Sequence, residues 1–518
     1  MKSRDYRRDS RGDAIPGMFA RIRDMDRHSG LTRRDLLKQT ALALPALAAL
    51  PRMTFAADPA TPGPSGKPRK VIVVGAGLAG LAAAYELNQK GHHVTVLEAR
   101  PHAGGRVLTL RSPFADGLYA EAGAISFSDS YPHTIRYIKA FNLPMEAQGP
   151  RGTPVFHLRG KGFELKQGQK PEWPYKLDAD EKELNMGGLI GKYFSAAEKL
   201  GDPSAPEWRP EPFLDWDRIT LAKFLEGQGA SAEAIALLGD SAWWGYGWSE
   251  VSALHRLVSD VALFFLGQKS YVIPGGTDLL PQAMAKALQE RIRYGAPVVR
   301  IVQEADKVRV VYRQAGAEQS LEADRLICTV PTPVMRKIEL IPALSARKRE
   351  IFEKLEYSPV TRVFAQSRRR FWADAGRAGS VSTDLPIDLV AEHPFSRTPD
   401  AGPRAVLECH MKGEEAARVG ALDLDAQLAY AVENLEKAHP GFRNHFEGGT
   451  SYVWGTDPWA GGGYAWWKPG QMSEWLPELV KPEGRIHFAG EHTSWLARTL
   501  EGALESGNRA AREVDWAS

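Results

Sequence analysis

Between residues 70 and 98 the chain makes extended, tight-turn and helical demands in an order that few folds can meet. Lys70-Val-Ile-Val-Val74 is a continuous apolar, β-branched run, the pattern of a strand covered on both faces. Gly75-Ala-Gly77-Leu-Ala79-Gly80 follows at once, and Leu81 to Lys90 has helical spacing until Gly91 stops it. His93-Val-Thr-Val-Leu97 is then a second strand, ending at Glu98. Gly75 permits the tight turn, Gly77 lets the backbone approach a pyrophosphate, and Gly80 lets the helix pack close to the strand. The helix amino terminus faces the phosphates, and Glu98 stands where a carboxylate accepts the hydroxyls of an adenosine ribose. The unit predicts a Rossmann-type α/β domain for a dinucleotide, and both NAD and FAD suit it.

Composition narrows the remaining choices. At 518 residues the chain exceeds one ordinary core, so two domains are expected. No run of about 20 apolar residues occurs, which predicts no membrane-spanning helix. The small basic excess lies in the first 55 residues, leaving a nearly neutral body without the electrostatic footprint of a nucleic-acid-binding protein. Cys328 and Cys409 are the only cysteines, each in an apolar strand-like run, so neither a metal site nor a disulfide framework is expected.

The amino terminus reads as an address. Arg33-Arg34 precedes the short apolar stretch Ala41 to Leu50, and Thr54-Phe55-Ala56-Ala57 offers a small-residue cleavage site. Residues 1–57 are expected to be a twin-arginine signal with a basic leader, followed by a flexible linker at 58–68. The mature chain would then be periplasmic or secreted.

Further motifs resemble the flavin amine oxidases. Leu97-Glu98-Ala99-Arg100 followed by Gly104-Gly105-Arg106 resembles that family's second fingerprint, in which the glycine pair and arginine continue the pyrophosphate cradle. Tyr271-Val-Ile-Pro-Gly275-Gly276 with Pro297-Val298-Val299, and Ala323 to Pro331, resemble two more family segments; the backbone at Val298 would hold the adenine. Gly484-Arg-Ile-His-Phe-Ala-Gly490-Glu491-His-Thr, then Leu500-Glu501-Gly502, is similar to the carboxy-terminal flavin motif. Glu491 would meet the ribityl or phosphate region, and the Leu500 backbone with the following helix would face the flavin's pyrimidine oxygens.

The resemblance implies noncovalent FAD, because Gly463 stands where some members carry a flavin-linking cysteine. It implies a Rossmann-type domain from 69–125, 271–335 and 450–518, and a mixed α+β substrate domain with a helical excursion from 126–270 and 336–449. Tyr464 falls at one wall of the family's aromatic cage, Thr499 at the other, and Trp454 and Trp459 would line the same cavity. Arg362 occupies the position of the lysine that holds a water near the flavin. In Glu121-Ala122-Gly123-Ala124-Ile125, Gly123 and Ala124 would contact the cofactor. Ser126 follows where amino acid oxidases carry a carboxylate-clamping arginine.

These features favour an amine oxidoreductase that takes a hydride from the carbon beside nitrogen. Its partners would be a small-molecule amine and O2 or an electron-acceptor protein, with a homodimer left open as the assembly. An L-amino acid oxidase is the alternative, with Arg136 or another arginine as substitute clamp. A dehydrogenase, a flavin-dependent desaturase or isomerase, and a non-catalytic flavin-holding protein complete the range. The cluster Trp243-Trp244-Gly245-Tyr246-Gly247-Trp248 suggests an aromatic entrance or ordinary helix packing, and His492 is expected to be structural.

Overall fold

The β-branched run at Lys70–Val74 becomes the central strand of a five-stranded sheet in which every pairing is parallel. In this computed structural model, which describes residues 67–149, 152–205, 208–241, 247–262, 267, 269–393 and 402–517, the order across the sheet is Ile292–Arg293, His93–Leu97, Lys70–Val74, Arg325–Cys328, Ile486–Phe488. Three distant stretches therefore supply one sheet. Val71 to Val74 are all buried, as a parallel strand covered on both faces requires.

The alanine-rich helix Leu78–Gln89 covers one face, burying Leu78 through Ala84 and Leu87. It packs against the long carboxy-terminal helix Leu500–Trp516, where a Cβ at Gly507 would lie 2.2 Å from the Ala79 carbonyl oxygen. Only glycine allows two backbones that close.

A second, seven-stranded sheet has the order Phe446–Val453, Val360–Ser367, Ala405–Lys412, Leu389–His393, Arg377–Thr383, Thr153–Leu158, Lys161–Glu164. It draws together residues on both sides of the 271–335 stretch, and Phe446–Val453 straddles the expected boundary at 449/450. Among the described residues between 186 and 262 the chain forms mainly short helices, among them Met186–Tyr193, Leu221–Gly227 and Ala232–Ser241. Asp423 caps Leu424–Ala438 by accepting from the Ala426 N–H at 2.8 Å. Among the described residues no helix is long and apolar enough to cross a membrane. The twin-arginine stretch and Trp243, Trp244 and Tyr246 lie outside the described residues.

Candidate active site

The glycine turn is built around backbone hydrogen bonds that leave one side open. Gly75 N–H donates to the Leu97 carbonyl at 2.8 Å, and Gly104 N–H to the Ala76 carbonyl at 2.9 Å, so the two fingerprint loops are stitched together. A Cβ at Gly77 would meet nothing nearer than Gly105 Cα at 4.0 Å, because Gly77 faces a cavity. The helix behind it has no side-chain cap, so its first N–H groups are free to bind an anion. Glu98, buried beside them, accepts from Ala76 N–H at 2.6 Å and Arg100 N–H at 2.8 Å. Burial pushes its carboxyl above the ordinary range against the pull of those two donors.

The cavity measures about 800 Å³ and runs from this loop to the seven-stranded sheet. It is lined by every cofactor and catalytic residue expected from the sequence except Gly80. Gly80 does not line the cavity and acts through packing, the role its place in the glycine turn implies: a Cβ there would sit 1.9 Å from the Gly75 carbonyl oxygen.

Glu491 organises the middle. Its Oε1 accepts from Arg106 at 2.7 Å and Ala465 N–H at 3.1 Å, and its Oε2 from Arg498 N–H at 2.9 Å. Burial opposes its charge, but Arg106 and the hydrogen bonds hold it below the usual carboxylate range. Trp454 donates from its indole to the Ala122 carbonyl at 2.6 Å. Thr499 caps the last helix: its hydroxyl accepts from Gly502 N–H at 2.9 Å and donates to the Leu496 carbonyl at 2.6 Å. Val298 lines the cavity from its own strand, Val298–Gln303.

Arg362 is more committed than a free cation would be. One terminal nitrogen donates to the Glu121 and Gly123 carbonyls at 2.7 and 2.8 Å, and its Nε faces the buried Glu408 at 3.3 Å. Trp459 is 37% exposed, on a loop that Asp457 ties to Arg100 at 2.6 Å, so it stands at the rim. Arg136 lies outside the cavity, paired with Glu86 and stacked on Tyr137. His492 is buried and burial pushes its ring down to about 4, so it is neutral.

At the far end stand residues that motif reading passed over. Arg498 adopts a left-handed backbone, φ 70°, and its guanidinium lies over the Tyr464 ring at 4.5 Å. It also reaches Asp260 at 2.8 and 3.0 Å, and Asp260 is shared with Arg256 at 2.8 Å. Asp260 sits on a π-helical turn, Leu257–Ala262, a geometry frequent at functional sites. His410 and Lys412 approach from the seven-stranded sheet. Burial alone would raise the Tyr464 phenol, yet the cations Arg498, Lys412 and Arg256 outweigh it and hold the group below the ordinary tyrosine range.

Comparison with known proteins agrees with this geometry. The family described as flavin containing amine oxidoreductase matches residues 78–515. A putative L-amino-acid oxidase, YobN, of Bacillus subtilis (strain 168) is 33% identical over 465 residues, covering 86% of this chain and 95% of that one. The L-amino-acid oxidase of Protobothrops flavoviridis is 28% identical over 459 residues, covering 87% and 90%. In fold, the chain resembles putrescine oxidase bound to putrescine, with TM-score 0.72, 24% identity and coverage of 86% and 99%. Cyclohexylamine oxidase from Brevibacterium oxydans IH-35A gives TM-score 0.70 at 21% identity, covering 87% and 99%. A glycine cradle that fits a dinucleotide and a family match across nearly the whole described chain lead to one conclusion: the chain belongs to the flavin-containing amine oxidoreductases and is an FAD-dependent enzyme acting on a carbon–nitrogen bond.

Proposed function

We propose that the substrate is an L-α-amino acid, that its carboxylate is received by Arg498, and that its amine carbon is presented beside Tyr464. The observation that carries this reading is Arg498 itself, a buried guanidinium on the Tyr464 ring and in the cavity wall. Ser126 removes the clamp from its expected place, and Arg498 offers one from another direction. A guanidinium binds a carboxylate bidentately, which fixes orientation as well as affinity. The L-amino-acid oxidases among the relatives support the same substrate class. A simple amine is the second reading, favoured by Ser126.

The parallel sheet and its glycine loops are the FAD half, Rossmann-type and assembled from three stretches. Gly75, Gly77, Gly104, Gly105 and Arg106 would hold the pyrophosphate, Glu98 the adenosine ribose, and the start of Leu500–Trp516 the flavin ring. When bound there, FAD would supply the hydride acceptor, with O2 as the final oxidant and H2O2 as its product. The chain's own groups do the rest: Arg498 and Tyr464 orient the substrate, and the seven-stranded sheet closes the cavity against water. The substrate leaves as an imine, which water converts to a 2-oxo acid and ammonia. Attachment is noncovalent, since no cysteine lines the cavity among the described residues. The twin-arginine stretch supports export of the folded, loaded protein to the periplasm.

Two measurements test this. Acid precipitation is expected to release all the flavin into the supernatant; flavin retained on the pellet refutes noncovalent binding. Mixed anaerobically with separate panels of L-amino acids and of amines lacking a carboxylate, the yellow protein is expected to bleach with amino acids. Bleaching by simple amines alone removes the carboxylate clamp.

A further inference from the structure

Along Ala405–Lys412 the sequence alternates in a way an apolar core strand does not need. Val406, Glu408, His410 and Lys412 share one face, in register with Gln366, Phe364, Arg362 and Val360 of the neighbouring strand. Arg362, His410 and Lys412 on that face line the cavity, as does Ser382 from a strand further along the sheet. Lys412 is only 7% exposed, yet its ammonium has no hydrogen bond or ion pair among the described residues. Two buried carboxylates lie near it, but neither forms an ion pair with its ammonium among the described residues. Glu408 faces Arg362, His393 and His410, and Asp388 accepts the backbone N–H of Lys412 itself at 2.8 Å.

The same end of the cavity holds two guanidiniums, Arg256 and Arg498, that share the single carboxylate of Asp260. His410 adds no anion: burial, reinforced by Arg362 and Lys412, keeps its ring neutral. Around Tyr464 the described residues present the cations Arg256, Arg498, Arg362 and Lys412 to the carboxylates of Asp260, Glu408 and Asp388, and among these cations only the Lys412 side chain makes no hydrogen bond or ion pair with them. Burying charge without a partner is costly, so a cavity kept in this state is built for a ligand that brings negative charge. One carboxylate at Arg498 leaves Lys412 unanswered. A diamine, which would add a further cation, is opposed by the same charge balance.

We propose that the preferred substrates are amino acids whose side chain carries a second carboxylate, which Lys412 receives. This rests on the amino acid reading above. Gln148 and Ser270, whose side chains are already hydrogen-bonded to each other at 2.9 Å, line the cavity too and give its wall polar rather than purely apolar character. Lys412 acts here as a specificity-determining residue, in contact with the part of the substrate that does not react.

The test compares, on the full FAD-loaded protein, kcat/KM for L-glutamate and L-aspartate with that for L-glutamine and L-asparagine, which match them in shape but lack the charge. A preference for the acids of about tenfold or more is expected from one charge-assisted contact. Lys412→Met is expected to abolish that preference through KM, and Lys412→Arg to restore part of it. Titration of the unaltered protein with glutarate and with butyrate, followed by flavin absorbance, reads binding without turnover; glutarate should bind the tighter by a similar factor. Equal use of acid and amide, or equal binding of the two probes, overturns the proposal while leaving the amino acid reading intact. Oxidation confined to amines without a carboxylate overturns both.

Discussion

Gly80→Ala is expected to yield a chain that purifies without flavin. The added Cβ would stand 1.9 Å from the Gly75 carbonyl oxygen and 3.0 Å from its carbon, and both obstacles are backbone. Neither can rotate away, so the helix Leu78–Gln89 must lift from the strand. Its first turn carries the N–H groups aimed at the pyrophosphate, and Gly75 is itself held at φ 104°, where little adjustment is open to it. The ratio of flavin to protein absorbance after purification reads the outcome, with far-ultraviolet circular dichroism to show that the sheets persist. A variant that keeps a full complement of FAD would mean that the close helix–strand contact is not needed for binding.

The second large effect is expected from Arg498→Gly. Glycine tolerates φ 70° without cost, so this substitution removes the cation without straining the backbone, and Asp260 keeps Arg256 as its partner. Loss of a buried, charge-assisted contact to the substrate carboxylate costs about 3 kcal/mol, roughly 150-fold in kcat/KM. Amines lacking a carboxylate should lose far less. The comparison of the two substrate classes is the readout, and an equal loss for both would assign Arg498 to shaping Tyr464 rather than to binding substrate.

Legibility in the sequence followed locality. The strand, glycine turn and helix from 70 to 89 are fixed by neighbouring residues, and so could be read with the function of each glycine. The carboxy-terminal motif was likewise visible as two short strings, Gly484 to Thr493 and Leu500 to Gly502. Arg498 stood between them and was passed over, because nothing in composition announces that a side chain two positions before a helix will lie on a ring 34 residues earlier. Asp260 and Arg256 show only helical i,i+4 spacing, the ordinary mark of a solvated salt bridge, and their burial comes from tertiary packing. The one available signal for the substrate end was the polar alternation Glu408, His410, Lys412 within an apolar strand. The role expected of Arg362 shifted for the same reason: what a cation does depends on the backbone brought against it.

The parallel sheet begins with Lys70–Val74 and acquires its edge strand only at Ile486–Phe488; the helix carrying Gly507 then locks against the helix carrying Ala79. During synthesis, the cradle's first wall leaves the ribosome some 400 residues before its last, since chains emerge amino terminus first. Cofactor capture is thus a post-translational event for this topology. A nascent chain paused before residue 486 exposes an unfinished sheet edge and needs protection from pairing with its neighbours.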